Sequence, residues 1–302
     1  MDTLRTLSKE EYPALLRKLE KLPKSMDVIG ILPPDSYKYL CVVGSRDHSD
    51  YGKEACEHLI AGLAGYPIVI VSGLALGLDS IAHEAALKAG LRTIAFPGSS
   101  LHNSRIYPPS NLGLAEKIVK AGGALMSPFK RGLFGESWMF PVRNKLMAGI
   151  ADATLVIEAE KESGTLITAN DANTIGRTVL VVPGSIFSPT SEGSNNLIRE
   201  GSTAVTCSED ILEALGFGNS EALQEELKDG NSSSGASNQT LFETIISPDE
   251  HKIIEMIGGS IQKDDLIYKL DLPVGYVNSV LAELEMKKLI KEEGGVITRR
   301  KL

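Results

Sequence analysis

The sequence predicts an α/β fold with a doubly wound, mostly parallel sheet, followed by a small C-terminal winged-helix domain. Two observations predict the sheet. Six short apolar segments alternate with helical patterns, and these segments are apolar throughout instead of alternating with polar residues. Such strands suit a Rossmann-like sheet covered by helices on both faces. A third observation, three helical patterns and a hairpin pattern at the end of the chain, predicts the second domain.

The predicted strands occupy residues 39–43, 67–71, 91–96, 123–126, 154–159 and 178–184. Helical patterns lie between them, for example at 51–65, 77–90 and 163–176. The segment before the first of these strands, residues 1–37, is predicted to be a short N-terminal helical extension, since it contains the pattern YPALLRKLEK. The main domain is therefore expected at 38–217.

A flexible acidic linker is predicted at 218–247. Residues 218–250 contain one basic and seven acidic residues, in a chain of net charge −8, and include GNSSSGASN. Because this segment holds most of the excess negative charge, the acidity of the whole chain does not exclude a polyanionic ligand for 38–217.

The predicted winged-helix domain covers 248–302. It combines helical patterns at 249–258, 263–271 and 273–289 with IKEEGGVITRR, which is typical of a hairpin with a Gly-Gly turn. Winged helices serve protein contacts as well as DNA binding, and the third helix has few basic residues before Lys287. The sequence does not favour DNA reading by this domain.

Several functional classes are disfavoured. The cysteines Cys41, Cys56 and Cys207 are widely spaced and form no metal-binding pattern, and no apolar segment is long enough to span a membrane. We expect a cytoplasmic protein with no cofactor, no metal and no catalytic residue, because GxSxG and HExxH motifs are absent. His83 shares a helix face with Asp79 and is interpreted as a structural histidine.

Small and polar residues follow the predicted strands, where a parallel sheet binds its ligands. The loop after 39–43 begins Gly44-Ser45-Arg46, and Arg46 offers a forked donor to phosphate. The next loop has glycines without the GxGxxG spacing and Ser72 where a dinucleotide-binding strand would end in an acid, so NAD binding is disfavoured. Each loop on its own is explained equally well as an ordinary strand-to-helix turn. Taken together, the loops predict a phosphate-binding groove.

Residues 127–145 combine cations with aromatic rings. They hold the only Trp and three of the seven Phe of the chain, together with Lys130, Arg131, Arg143 and Lys145. Interleaved cations and rings are what binding of a single strand requires, at about 1–3 kcal/mol per stacked base. The alternative, that Trp138 and Phe140 anchor the following helix in the core, remains open.

The ordered motifs GSR, SGLALGLDSIAHEAAL, TIAFPG, YPPSN, FPVRNKLMAGI, VIEAEKESGTLITA and EGSNNLI resemble the DprA/Smf family of DNA-processing proteins. The resemblance implies a homodimeric single-stranded DNA-binding protein of natural transformation, without catalysis, which protects incoming strands and helps to load a RecA-type recombinase. The expected DNA-binding residues, from the loops and from the resemblance, are Gly44, Ser45, Arg46, Ser72, Gly73, Gly77, Lys130, Arg131, Phe134, Arg143, Asn144, Lys145, Ser163, Gly164 and Thr165.

The sequence also departs from the family pattern. The usual RNR motif is RNK here, so the forked guanidinium of an arginine is replaced by the point charge of the Lys145 ammonium group. Two alternatives remain: a phosphoribohydrolase-type enzyme, although Ile167 and Thr168 stand where that group has a carboxylate, and a winged-helix transcription regulator.

Overall fold

The computed structural model describes residues 4–101, 106–130 and 132–217 and, beyond these, 253, 256–257, 260–270, 277, 281, 284, 290–293 and 295–299. The chain divides into two compact units, Met1–Asp229 and Gly230–Leu302. The predicted linker at 218–247 lies outside the described residues, and the proposed domain boundaries remain predictions.

The first unit is built on a nine-stranded sheet. Its strands are β1 (Arg5–Ser8), β2 (Ser25–Gly30), β3 (Lys38–Val43), β4 (Ile68–Ser72), β5 (Arg92–Ala95), β6 (Ala124–Ser127), β7 (Ala153–Val156), β8 (Thr178–Val181) and β9 (Thr203–Ala204). The spatial order is β1-β2-β6-β5-β4-β3-β7-β8-β9. The pairs from β6 to β9 are parallel, while β1 and β2 are antiparallel additions at one edge.

Helices cover both faces of the sheet. They are α1 (Ala14–Arg17), α2 (Asp50–Ala61), α3 (Leu78–Lys88), α4 (Leu112–Lys120), α5 (Met139–Ile150), α6 (Gly164–Thr174), α7 (Glu192–Arg199) and α8 (Ser208–Ala214). Tyr39, Cys41 and Val43 of β3 pack in a core with α5, α6 and α7, whereas Leu40 and Val42 pack in a second core with α2, α3 and α8. The predicted α/β fold with a mostly parallel sheet is confirmed.

The order of the strands creates a crevice beside β3. From β3 the chain proceeds through β4, β5 and β6 on one side, and then crosses to β7 on the other side. The loops that follow β3 and β7 therefore leave the same edge of the sheet in different directions. In open α/β sheets, ligands bind at this point.

The prediction of a helical extension at 1–37 is wrong. This segment contributes β1 and β2 to the sheet, and α1 is a single turn. In β2, Met26 and Val28 are buried on the same side, with a period of two, and they pack in the same core as Tyr39. The charged residues around α1 obscured this short alternation.

The second unit contains a three-stranded sheet in the order β10-β12-β11, with β10 (Ser260–Gln262), β11 (Ile290–Glu293) and β12 (Val296–Arg299). The antiparallel pair β11/β12 confirms the predicted hairpin. Helix α9 (Lys263–Leu270) follows β10, and a separate core includes Leu266, Leu281 and Ile297. Within the described residues of both units, we find no helix long and apolar enough to cross a membrane.

Candidate nucleic-acid interface

A groove with a volume of about 610 Å³ lies at the carboxyl ends of β3 and β7. Its lining comes from residues 43–47 after β3, from the start of α5 and from residues 160–168 around the start of α6. The structure therefore brings together three of the loops and segments that the sequence singled out. Eight predicted residues line the groove: Gly44, Ser45, Arg46, Arg143, Asn144, Ser163, Gly164 and Thr165.

The loop after β3 presents Arg46 to solvent. Ser45 holds the turn, because its hydroxyl donates to the carbonyl oxygen of Asp47 at 2.9 Å and accepts from the Asp47 N–H at 3.1 Å. The Arg46 side chain is exposed, and its guanidinium carbon lies 5.3 Å from the centroid of the Phe140 ring. This placement leaves the guanidinium accessible from the groove.

Gly77 supports this loop from below. Its φ is +76°, and a Cβ at this position would lie less than 3.0 Å from the carbonyl oxygens of Ser45 and Arg46. The N–H of Leu78 donates to the Ser45 carbonyl at 3.2 Å. Gly77 does not line the groove; its absent side chain allows the two loops to approach each other.

Ser72 and Gly73 lie beneath the groove and do not line it, which corrects the expectation that they contact DNA. Ser72 is fully buried, and its hydroxyl donates to the Val42 carbonyl at 2.7 Å. The carbonyl of Gly73 accepts a hydrogen bond from Nη1 of Arg143. The sequence placed both residues correctly at the end of a strand but could not show that Arg143 covers them.

Arg143 and Asp79 form a buried pair of opposite charge at the floor of the groove. Each residue is 6% exposed. Burial raises the pKa of Asp79, and the nearby Arg143 opposes this shift; burial likewise lowers the pKa of Arg143, and Asp79 opposes it. Arg143 also donates to the Phe96 carbonyl at 3.3 Å and, through Nε, to Oδ1 of Asn144 at 3.2 Å. These contacts hold the guanidinium rigidly.

Phe140 lies between two guanidinium groups. The ring centroid is 5.3 Å from the Arg46 carbon and 5.7 Å from the Arg143 carbon, which is within the range of cation–π attraction. Phe140 is half-buried and contacts Gly98, where a Cβ would lie less than 3.0 Å from its ring. It therefore both anchors α5 and supports Arg46. Trp138, by contrast, is 54% exposed, and its ring packs edge-to-face against the ring of the buried Phe129 with a centroid distance of 5.7 Å.

The start of α6 forms the opposite wall of the groove. Ser163 is the N-cap residue, and its hydroxyl accepts from the Thr165 N–H at 3.2 Å. Gly164 is exposed, and a Cβ there would meet no atom within 4 Å. An uncovered helix N-terminus attracts anions through its free N–H groups and the helix dipole.

Three further predicted residues, Lys130, Phe134 and Lys145, do not line the groove. Lys130 and Lys145 are exposed. Burial raises the pKa of Asp171, and Lys145 lies close enough to oppose this shift. Phe134 is half-buried and packs edge-to-face against Tyr107 with a centroid distance of 5.5 Å. Arg131 lies outside the described residues. For these four residues, DNA contact stays a prediction.

Glu158 fixes the loops around the groove, and the sequence did not reveal this role. The carboxylate is 1% exposed, accepts from the N–H and hydroxyl of Ser49 at 3.0 and 2.5 Å, and accepts from the Thr190 hydroxyl at 3.1 Å. Ser49 in turn caps α2. An acid inside the apolar segment predicted as a strand at 154–159 was the available signal, but its partners are 109 and 32 residues away.

Two further features concern the buried His83 and the possible metal ligands of the described residues. His83 is fully buried, and Nδ1 lies 2.7 Å from the hydroxyl oxygen of Thr93. Because that hydroxyl donates to the Ile70 carbonyl at 2.8 Å, the ring Nδ1–H is the donor to Thr93. No group of three or more His, Cys, Asp or Glu side chains suited to a metal ion occurs in the part of the chain that the structure describes.

The fold and the groove define a doubly wound α/β protein whose crevice carries donors for anionic ligands: the exposed guanidinium of Arg46, hydroxyls and a helix N-terminus. Residues 3–216 match the family described as DNA recombination-mediator protein A. The chain belongs to this family.

Proteins from several bacteria are similar to the chain. Protein Smf of Escherichia coli is 40% identical over 209 residues, which cover 69% of this chain and 55% of Smf. The DNA processing protein DprA of Bacillus subtilis is 35% identical over 210 residues, covering 69% of this chain and 70% of that protein. The chain thus matches about half the length of the Escherichia coli protein.

Two solved structures share the fold. DprA from Streptococcus pneumoniae superposes with a TM-score of 0.65 at 35% identity, covering 70% of this chain and 74% of that one. DprA from Helicobacter pylori, whose structure concerns its single-stranded DNA binding mode, superposes with a TM-score of 0.63 at 27% identity, covering 71% of this chain and 96% of that one.

Proposed function

We propose that the chain is a DNA-processing protein of natural transformation that binds single-stranded DNA in the groove at the ends of β3 and β7. The observation that carries the proposal is the exposed Arg46, supported by the Phe140 ring and facing a groove whose other wall is the N-terminus of α6. The single-stranded DNA binding mode of the similar Helicobacter pylori protein supports the same ligand.

The groove suits the backbone of a single strand. Arg46 supplies a forked cation, Ser163 and Gly164 supply the start of a helix, and the hydroxyl of Thr165 adds a polar group. The buried pair Arg143–Asp79 contributes a fixed dipole and little net charge, so the sequence-independent attraction depends mainly on Arg46. We therefore propose binding to phosphate with little preference for base sequence.

Arg46→Ala tests this proposal in a fluorescence-anisotropy titration of labelled oligo-dT. We expect a loss of affinity of about ten- to a hundredfold, since a charge-assisted contact to phosphate is removed. Arg92→Ala is a matched control, because Arg92 also stacks on a ring, that of Tyr37 at 5.5 Å, but begins β5 and so lies at the opposite edge of the sheet. Equal affinities of the two variants would refute the proposal.

The wider role extends this proposal. We further propose that the bound strand passes to a RecA-type recombinase, and that the chain acts as a homodimer in the cytoplasm and binds without catalysis. The family described as DNA recombination-mediator protein A supports the link to recombination. The hairpin β11/β12 and α9 support a winged-helix domain after the linker. Light scattering of the full chain measures the oligomeric state, and recombinase filament formation on pre-bound strands measures loading.

The two alternatives predict different ligands. A phosphoribohydrolase-type enzyme would release free base from nucleoside monophosphates, but the buried carboxylate in the groove, Asp79, is already engaged by Arg143 and by the Ala75 N–H at 3.2 Å. A transcription regulator would prefer a duplex operator to single strands. Competition of the bound oligo-dT by duplex DNA and assays for base release separate these functions from the proposed one.

A further inference from the structure

The loop between β4 and α3 exposes a large apolar side chain at the rim of the groove. Leu76 is 52% exposed, whereas its neighbour Leu74 is fully buried. Leu74 has a φ of +58° and is the one non-glycine residue with positive φ in the described parts of the chain. Such a conformation is strained for a residue with a Cβ, and it persists where the surroundings enforce it, often at binding sites.

Asn111 enforces this conformation. Its side-chain amide donates to the carbonyls of Leu74 and Ala75 at 2.9 and 3.2 Å and lies 2.8 Å from the hydroxyl oxygen of Ser80. The loop is thus fixed at its centre by a residue that belongs to another segment of the chain. Leu76 follows this fixed point and faces solvent, so its exposure is a property of an ordered loop.

Leu76 borders a small cavity that continues the groove. The cavity has a volume of about 40 Å³, and its walls include the Tyr107 ring and Pro108. It also shares Arg46 and Phe140 with the groove. The Tyr107 and Phe140 rings are 6.0 Å apart, so two aromatic faces and one aliphatic side chain meet beside the guanidinium of Arg46.

We propose that Leu76, together with Tyr107, forms a subsite for a nucleobase of the strand whose phosphate is bound by Arg46. This inference rests on the proposed function. A phosphate and its base are joined through only one sugar, so a base next to the phosphate at Arg46 lies within reach of Leu76 and Tyr107, which border the same guanidinium. A base has apolar faces and stacks or packs on such side chains without regard to its identity. The subsite therefore adds affinity for bases without sequence preference.

The experiment compares two labelled strands of the same length, oligo-dT and a strand with abasic sites throughout, which has the phosphates but no bases. Both are titrated against the full chain and its variants by fluorescence anisotropy. Leu76→Ser is expected to weaken binding of oligo-dT by about fivefold and to leave binding of the abasic strand unchanged. Leu76→Phe, which enlarges the apolar contact, is expected to strengthen binding of oligo-dT only.

The control is Ile31→Ser. Ile31 is 60% exposed, but it follows β2 and bonds to Gly123 before β6, and so lies at the opposite edge of the sheet. Substitution of Ile31 should change neither titration. Thermal melting should show that Leu76→Ser remains folded, since Leu76 is 52% exposed. A Leu76→Ser effect of equal size on both strands, or on neither, would overturn the subsite.

Arg46→Ala separates failure of the subsite from failure of the proposed function. If Arg46 binds phosphate, its removal weakens both strands, whatever Leu76 does. If Arg46→Ala weakens binding of both strands, but Leu76→Ser has no effect that depends on the bases, the subsite alone is refuted. Unchanged titrations with Arg46→Ala would refute phosphate binding at the groove, and the subsite with it.

Discussion

Replacement of Gly73 by alanine should disrupt the floor of the groove without touching its surface. The new Cβ would lie less than 3.0 Å from Nη1 and Cζ of Arg143 and from Oδ2 of Asp79. Both neighbours are buried and bonded, and Arg143 Nη1 donates to Gly73 itself. The guanidinium therefore has to move outward, or the loop has to shift.

The cost follows from these contacts. Overpacking of a filled core costs about 1–3 kcal/mol, and disturbing the oppositely charged pair Arg143–Asp79 and its hydrogen bonds costs about 1–3 kcal/mol more. Because the pair is strained by the displacement but not deleted, we expect Gly73→Ala to lower the free energy of unfolding by about 3 kcal/mol. For a domain of this size, that corresponds to a fall in Tm of about 6–12 °C.

Urea denaturation and thermal melting measure this cost, and Gly164→Ala is the matched control. A Cβ at Gly164 meets no atom within 4 Å, so its stability should stay within about 0.5 kcal/mol of the parent protein. If Gly73→Ala were as stable as Gly164→Ala, Arg143 would not be fixed against the backbone of Gly73, and the rigid floor described above would be refuted.

Three further predictions concern charge and protonation. Burial lowers the pKa of His83 from 6.5 to about 3. Between these two pH values the unfolded chain binds a proton at His83 that the folded chain does not, so the free energy of unfolding falls as the pH falls from about 6.5 toward 3. This amounts to roughly 5 kcal/mol, and a His83→Gln variant should show a flatter dependence of unfolding free energy on pH. Glu158→Gln replaces one carboxylate oxygen, which accepts hydrogen bonds from Ser49 and Thr190, by an amide group that donates. It should lower the free energy of unfolding in urea by about 1–3 kcal/mol. Unchanged stability would show that these hydrogen bonds contribute nothing. Arg46→Ala should reduce the slope of log affinity against log salt by about 1, and an unchanged slope would indicate that Arg46 makes no phosphate contact.

The sheet could be predicted because its strands carry a local signal. The segments around Leu40, Ile70 and Leu155 are buried on both faces, and continuous apolar runs identify such strands without knowledge of their partners. The sequence did not predict β2, because its alternation of buried and exposed residues is short and lies next to a helical pattern. Only its pairing with β6 identifies it as a strand.

The groove could be predicted in part. Arg46 and Ser163 follow strands, and the rule that ligands bind at strand ends is sufficient to place them. The pairing of Asp79 with Arg143 joins residues on different helices, and the covering of Ser72 and Gly73 depends on the direction of one buried side chain. Sequence spacing does not specify either, since both result from packing between distant segments.

The groove exists only where β3 meets β7, and this has a consequence for how the chain acquires its activity. Tyr39 and Asp152, which join the two strands through a 2.8 Å hydrogen bond, are 113 residues apart. Closing so long a loop is slow compared with local helix formation. During synthesis, the first wall of the site emerges long before the second. The proposed DNA binding should therefore begin only after β7 has joined the sheet, and its onset would report when the sheet is complete.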